Sequence, residues 1–365
     1  METLSLHELH RGLTARFSSI AGAQIVADYG DVLAEYNALH DSAGIVDLGF
    51  RGRICLTGAD RVRFLHGQVT NDVKQLGVGE GCYAALTTAK GKLQADLNIY
   101  SLEEELLLDF EPGLTEMISK RLEKYIVADD VQLVDVGAMY GLLSVQGPRA
   151  VAVLSNVGLF DELTRLQNAL SFMKVADASL GEMYLMNQPR LATRGYDLFA
   201  PTAALHALAE KLVSCAKAAG GRPCGWQAFE LMRIEQGIPR LGVDMDETNF
   251  PQECGIEPRA VSYNKGCYIG QEVLNRIHTL GHVNKELRGM RLADDLKVLP
   301  GKGDVLFLGG KEAGYITSVS HSPRLKRNIA LGYVRNEANT IGTELTWRNS
   351  EGGEGTARIV RVPFE

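Results

Sequence analysis

The sequence predicts an α+β protein that ends in a separate all-β domain. Three observations carry this. First, residues 53 to 136 read as strand, helix, strands, helix, strand, the order of a ferredoxin-like layer. Second, "ICLTGADRVRFL" and "LSVQGPRAVAVL" overlay, with Gly58 on Gly147, Val62 on Val151 and Leu65 on Leu154. The match is short, so duplication and a chance likeness of two strand–turn–helix units are both open. Third, from Met290 onward short β-like runs are broken by "PGKGD", "LGGKE", "RNEAN" and "SEGGEG". That texture belongs to a small barrel. A chain of 365 residues is long enough for two or three cores.

The elements follow in order. "GDVLAEYNALHDSAG" puts Val32, Leu33, Tyr36 and Leu39 on one helical face, with Gly44 as the stop. Arg53–Thr57 reads as a strand, Gly58 as a turn and Asp60–Val69 as a helix. Tyr83–Thr87 and Leu93–Tyr100 read as strands joined through Gly91. Leu106–Phe110 is a further strand, Leu114–Tyr125 a helix, and "VQLVDV" closes the unit. Helices are expected at Ala203–Ala219 and Trp226–Gln236, and the barrel boundary near residue 285.

Composition excludes several classes. A formal net charge of −7 argues against a protein that grips nucleic acid through phosphates. No run approaches the roughly 18 apolar residues of a membrane span. The N-terminal stretch lacks the apolar region of a signal peptide, so a cytoplasmic protein is expected. Six cysteines without a CxxC pair predict reduced thiols.

Two constellations carry chemistry. In "KGCYIGQE", Gly266 and Gly270 permit tight turns beside Cys267, and "QEVLNRI" opens a helix. A helix N-terminus and Lys265 two residues away both favour thiolate. A packed small thiol is the competing reading of Cys267. Zinc is disfavoured, because Cys254, Cys267, His278 and His282 lack the close pairs of structural sites. In "KGKLQADLNIY", Asp96 interrupts an alternating strand just after a turn. It reads either as a general base facing a pocket or as a surface residue. Asp197 in "RGYDLF" carries the same ambiguity.

"KGCYIGQE" resembles the signature K-G-C-[FY]-x-G-Q-E of the YgfZ family, folate-binding proteins that assist iron–sulfur enzymes. The remaining chain resembles the wider superfamily that includes the glycine-cleavage T-protein, an aminomethyltransferase. The supporting stretches include "AGIVDLGFRGRICLTGADRVRFLHGQVTNDV", "LMRIEQGIPRLGVDMDE" and "GYITSVSHSP". The resemblance implies a three-lobed T-protein-like fold: interwoven ferredoxin-like α+β lobes over residues 1–285, the second lobe about 52–138, and a C-terminal β-barrel over 286–365, around a central folate channel. It implies tetrahydrofolate, or a one-carbon derivative, as the small-molecule partner.

By the same resemblance Asp96 matches the folate-facing Asp of the T-protein strand, Tyr83 a channel-lining tyrosine, and Asp197 the carboxylate that holds the pterin. Three stretches depart from T-protein. Its S-H-M is "GFR" here, its G-A-R-D arginine falls on Phe229, and its T-G-Y-T-G loop is "PRLAT". Two readings result. The first is an accessory protein for iron–sulfur client enzymes, including tRNA-modifying ones, that uses Cys267 with Lys265 supporting the thiolate. The alternative is a tetrahydrofolate-dependent aminomethyltransferase that uses Asp96.

Overall fold

The computed structural model describes residues 2–296 and 298–365. The chain forms two compact units. One comprises Met1–Leu86, Ala95–Glu230 and Asn264–Tyr268; the other comprises Thr87–Gln94, Leu231–Tyr263 and Ile269–Glu365.

The first unit opens with α1 (His7–Gly12), the hairpin β1 (Arg16–Ile20) and β2 (Ala23–Asp28), α2 (Val32–Asp41) and β3 (Gly44–Asp47). The side chain of Asp31 caps α2 by accepting from the Ala34 N–H. The face assigned to α2 needs one correction. Tyr36 and Leu39 are buried, but Leu33 is 52% exposed. Gly44 does not stop this helix, which ends at Asp41; it lies in β3, where a Cβ would meet Leu39 at 2.4 Å.

The first layer then runs β4 (Gly52–Thr57), α3 (Arg61–Gln68), β5 (Gly81–Thr87), β6 (Leu93–Ser101), β7 (Leu106–Phe110), α4 (Thr115–Glu123) and β8 (Gln132–Asp135). Its strands lie in the order β5-β6-β7-β4-β8. Without the edge strand β5 this is the ferredoxin-like arrangement expected from the sequence.

A second layer repeats it. β9 (Tyr140–Gln146), α5 (Ala150–Val157), α6 (Phe160–Arg165), β10 (Phe172–Asp177), β11 (Gly181–Asn187), β12 (Gly195–Pro201), α7 (Thr202–Ala218) and β13 (Arg222–Pro223) follow in chain order. The sheet order is β10-β11-β12-β9-β3-β13. The two orders match once β3 is seen as a strand inserted from the N-terminal segment. The faint sequence repeat therefore corresponds to a repeat of topology. Gly58 and Gly147 make the same turn, with φ of +97° and +126°. At each, a Cβ would strike a carbonyl oxygen, Asp130 O at 2.1 Å and Ser42 O at 2.5 Å, so only glycine fits. Leu143, Val145, Leu154, Leu185, Leu198, Leu208 and Leu212 form the centre of this layer's core against α5 and α7.

Past α8 (Trp226–Glu235), α9 (Glu257–Ala260) and α10 (Gln271–Leu280), the second unit ends in six strands: β14 (Lys285–Leu292), β15 (Val305–Leu308), β16 (Lys311–Ser322), β17 (Arg327–Arg335), β18 (Glu344–Arg348) and β19 (Glu354–Val360). They close as β14-β17-β16-β15-β18-β19, the barrel that the composition change predicts. Trp347, Met290, Ile316, Ala330 and Ile359 fill it. Among the described residues no helix is long and apolar enough to cross a membrane.

Candidate functional site

The first layer carries a polar row that crosses its strands. β6 and β7 pair antiparallel with Asn98 opposite Asp109, and β4 and β7 pair with Arg53 opposite Asp109. Continued past these pairs, beyond the ends of β4 and β7, the same registers lead Asp96 and Arg51 toward Glu111. Side chains two apart on a strand share a face. Arg51, Glu111 and Asp96 thus form one row, and Arg53, Asp109 and Asn98 the next, on the same face.

Hydrogen bonds complete these rows. The Tyr83 hydroxyl donates to Asp96 Oδ2 at 2.8 Å. Arg51 donates from Nε to Asp109 at 2.7 Å and from Nη1 to Glu111 at 2.5 Å. Asn98 donates to Asp109 Oδ2 at 2.9 Å. Asp96 Oδ1 is different: it is buried and has no hydrogen-bond partner among the described residues. An acceptor in that condition is poised for a donor brought by a ligand. Burial pushes the Asp96 carboxyl group up from its ordinary pKa and Glu111 adds to this, while Tyr83 and Arg51 oppose it.

Asp197 sits in a contrasting place. It lies on β12 opposite Ser144 of β9, and its oxygens are engaged by the chain itself. The Ser144 hydroxyl donates to Oδ1 at 2.7 Å, and Arg190 donates from Nε to Oδ2 at 2.8 Å. Arg190 Nη2 also reaches Asp109 at 2.8 Å, joining the two layers through one guanidinium. Burial would raise Asp109, yet Arg190 and Arg51 together hold it well below the usual carboxylate range. Asp197 is fully buried. Both Asp197 oxygens thus accept hydrogen bonds from the chain itself, Oδ1 from Ser144 and Oδ2 from Arg190.

The "KGCYIGQE" loop also departs from expectation. Lys265 is buried, and its ammonium donates to His66 O, Val69 O and Asn71 O at 2.6, 2.7 and 2.7 Å. Three donors meet three carbonyls at the end of α3, so Lys265 is an anchor and has no N–H left for Cys267. Burial brings its pKa down to about 8. The thiol coupled to its charge is Cys82, which burial still pushes up to about 12. Cys267 itself is exposed, whereas Cys55, Cys224 and Cys254 are buried. Gly270 adopts φ +90° and caps α10, as the turn expectation required; Gly266 does not take positive φ.

The residues considered for zinc are accounted for separately. Cys254 Sγ lies 3.0 Å from the Tyr333 hydroxyl, His278 Nδ1 3.1 Å from Glu257, and His282 Nδ1 3.0 Å from Leu280 O. Among the described residues no group of three or more His, Cys, Asp or Glu could hold a metal ion.

The GCVT N-terminal domain matches residues 6–265, and the glycine cleavage T-protein C-terminal barrel domain matches residues 285–364. The chain belongs to the glycine cleavage T-protein family. An aminomethyltransferase of Rubrobacter xylanophilus is 30% identical, over 98% of this chain and 93% of that protein. One of Geobacillus thermodenitrificans is 30% identical, over 96% and 94%. The crystal structure of aminomethyltransferase T from Bartonella henselae superimposes with a TM-score of 0.88, covering 100% of this chain and 98% of that one at 24% identity. That likeness establishes the T-protein fold class.

Against the T-protein family, two of the three departures now have a structural consequence. "GFR" supplies Arg51 and "PRLAT" supplies Arg190, the two guanidiniums around Asp109. At the third, Phe229 stacks on Trp226 with ring centroids 5.0 Å apart. Sequence reading did not single out Glu111, Asp109 or Ser144. A signal existed for the first two: "DFE" after an apolar strand and "RGR" before another put acids and bases two residues apart, on one face each.

Proposed function

We propose that the chain is a tetrahydrofolate-dependent aminomethyltransferase. The observation that carries this is Asp96 Oδ1, a buried acceptor without a partner among the described residues, on a strand that resembles the folate-facing strand of T-protein with Ala95 in place of its first Asp. Extensive likeness to proteins named aminomethyltransferase supports it. A heterocycle bearing N–H groups fits such an acceptor, whereas Asp197 is already satisfied. Tetrahydrofolate supplies the amine that accepts the one-carbon unit. Asp96 orients that amine through Oδ1, and in its protonated form can give a proton to a departing amine. Tyr83 fixes the carboxyl plane through Oδ2. The test is a purified-protein assay with an aminomethyl-lipoyl carrier and tetrahydrofolate. Methylene-tetrahydrofolate is expected, and its absence defeats the proposal.

A second reading rests on Cys267. A YgfZ-type folate-binding protein for iron–sulfur enzymes would expose its functional thiol, and Cys267 is exposed on a loop anchored by Lys265. Here Lys265 acts by holding the loop rather than by charge on sulfur. Cys267→Ser is tested in a strain lacking the host's own protein. Normal activity of the iron–sulfur enzymes, including the tRNA methylthiolating enzyme, would remove Cys267 from any such role.

A further inference from the structure

Asp96 has a neighbour that neither the family match nor the sequence motifs assign. Extending the β6–β7 register two residues beyond its last pair, Asn98 with Asp109, brings Glu111 to the side of Asp96. Glu111 is not free to turn away. Arg51 holds it at 2.5 Å and is itself held by Asp109, and the Arg51 and Glu111 side chains are 9% and 13% exposed. Two carboxyl groups beside each other at a half-buried place cannot both ionise as easily as either alone.

We propose that Glu111, seated by Arg51, is a positioning residue for Asp96: its negative charge from the neighbouring strand disfavours the carboxylate, so that Asp96, which accepts a ligand N–H through Oδ1 when ionised, is readily protonated to give its proton to the departing amine. Among the described residues, the titratable and charged side chains that act on Asp96 are Glu111, Tyr83 and Arg51. Tyr83 on β5 donates a hydrogen bond to it and Glu111 lies to its side; Arg51 lies beyond Glu111 in the same row. The next row holds Asn98, Asp109 and Arg53, whose charges largely offset one another, and Arg190 and Asp197 pair beyond Asp109. Glu111 is the group nearest in the ladder that disfavours the Asp96 carboxylate. The upward shift of Asp96, first from burial and then from Glu111, agrees with this geometry.

The inference rests on Asp96 as the ligand-facing acid, and its test is read without folate. The carboxyl carbons of the full chain are labelled with 13C and titrated by NMR, with Asp96→Asn assigning the Asp96 signal. In Glu111→Gln the Asp96 midpoint is expected to move to lower pH, toward the ordinary aspartate range. In Glu111→Asp, which keeps the charge one methylene further away, it should fall between the other two. This second variant gives an ordering even if Glu111→Gln folds poorly. A Glu111→Gln chain that titrates like wild type overturns the proposal. A wild-type chain that binds no tetrahydrofolate defeats the proposed function and leaves this measurement standing.

Discussion

Two aspartates on two repeated layers face opposite fates. Asp96 and Asp197 each interrupt an otherwise apolar strand, and the sequence gives no reason to separate them. In the first layer Asp96 keeps one oxygen without a partner among the described residues, and the charge of Glu111 acts on it. In the second, Asp197 has Ser144 opposite, Met186 on its other side and a guanidinium on top. The difference lies in what the neighbours contribute. Burial raises the pKa of both carboxyl groups, but Arg190 and Ser144 oppose it at Asp197 with direct hydrogen bonds to both oxygens, whereas at Asp96 Tyr83 reaches one oxygen only. The two layers share a topology, and the loop bearing Arg190 covers the carboxylate of only one of them.

The strongest way to break this comparison is to open the closed place. Arg190→Met leaves Asp197 buried without its cation and takes one of two guanidiniums from Asp109. Removing one partner of a buried pair costs about 3–5 kcal/mol. Urea denaturation should therefore show a large drop in midpoint. If Arg190→Met is as stable as wild type, Asp197 is not a structural ion and the contrast with Asp96 fails.

Asp96→Asn should behave in the opposite way. Loss of a positioned acid lowers transfer by roughly 100-fold. Stability should not follow. The pKa of Asp96 is raised in the folded state, so the folded chain holds the proton longer than the unfolded one. Ionised Asp96 then costs stability, and the cost is complete once pH has risen through its folded-state pKa. Asn removes it. Melting of Asp96→Asn should exceed wild type above that pH and converge with it in acid, below the ordinary aspartate range. A variant that loses activity and also melts lower at neutral pH would make Asp96 a structural group like Asp197.

The scaffold itself should respond alike in both layers. Gly58→Ala and Gly147→Ala each force a Cβ onto a carbonyl oxygen at positive φ, and about 1–3 kcal/mol is expected for each. Unequal costs beyond that span, measured by thermal unfolding, would show that the two turns are not equivalent.

Most of the scaffold was legible for a physical reason. Leu106–Phe110 matches its strand residue for residue, and Gly58 and Gly147 announced their turns, because period and backbone freedom are local properties. Gly44 misled because glycine serves close packing as well as helix ends; here it admits Leu39. The site was legible in its parts and not in its pairings. Asp96 and Tyr83 were named, and they touch. Lys265 was named for its nearness to Cys267 in sequence. Its ammonium instead reaches His66, Val69 and Asn71, contacts made nearly 200 residues away along the chain. Arg190 lies seven residues from Asp197, yet whether it turns in over that carboxylate is set by the second strand layer.

The smallest effect sharpens the comparison most. Tyr83→Phe deletes one hydrogen bond to Asp96 Oδ2 and leaves the ring in place. About 1 kcal/mol, or roughly fivefold in transfer rate, is expected from one such bond. Its sign on titration is the informative part. Tyr83 donates to the carboxylate and so favours the ionised form, whereas Glu111 disfavours it. Removing Tyr83's hydroxyl should therefore move the Asp96 midpoint to higher pH, and Glu111→Gln should move it to lower pH. Asp197 offers a control within the same molecule, since neither Tyr83 nor Glu111 touches it and its own partners, Ser144 and Arg190, are unchanged. Opposite movements at Asp96 with a still signal at Asp197 would establish the open aspartate as tuned by its ladder neighbours. Parallel movements of both signals would mean that the two layers titrate as one network, and the distinction between them would fall.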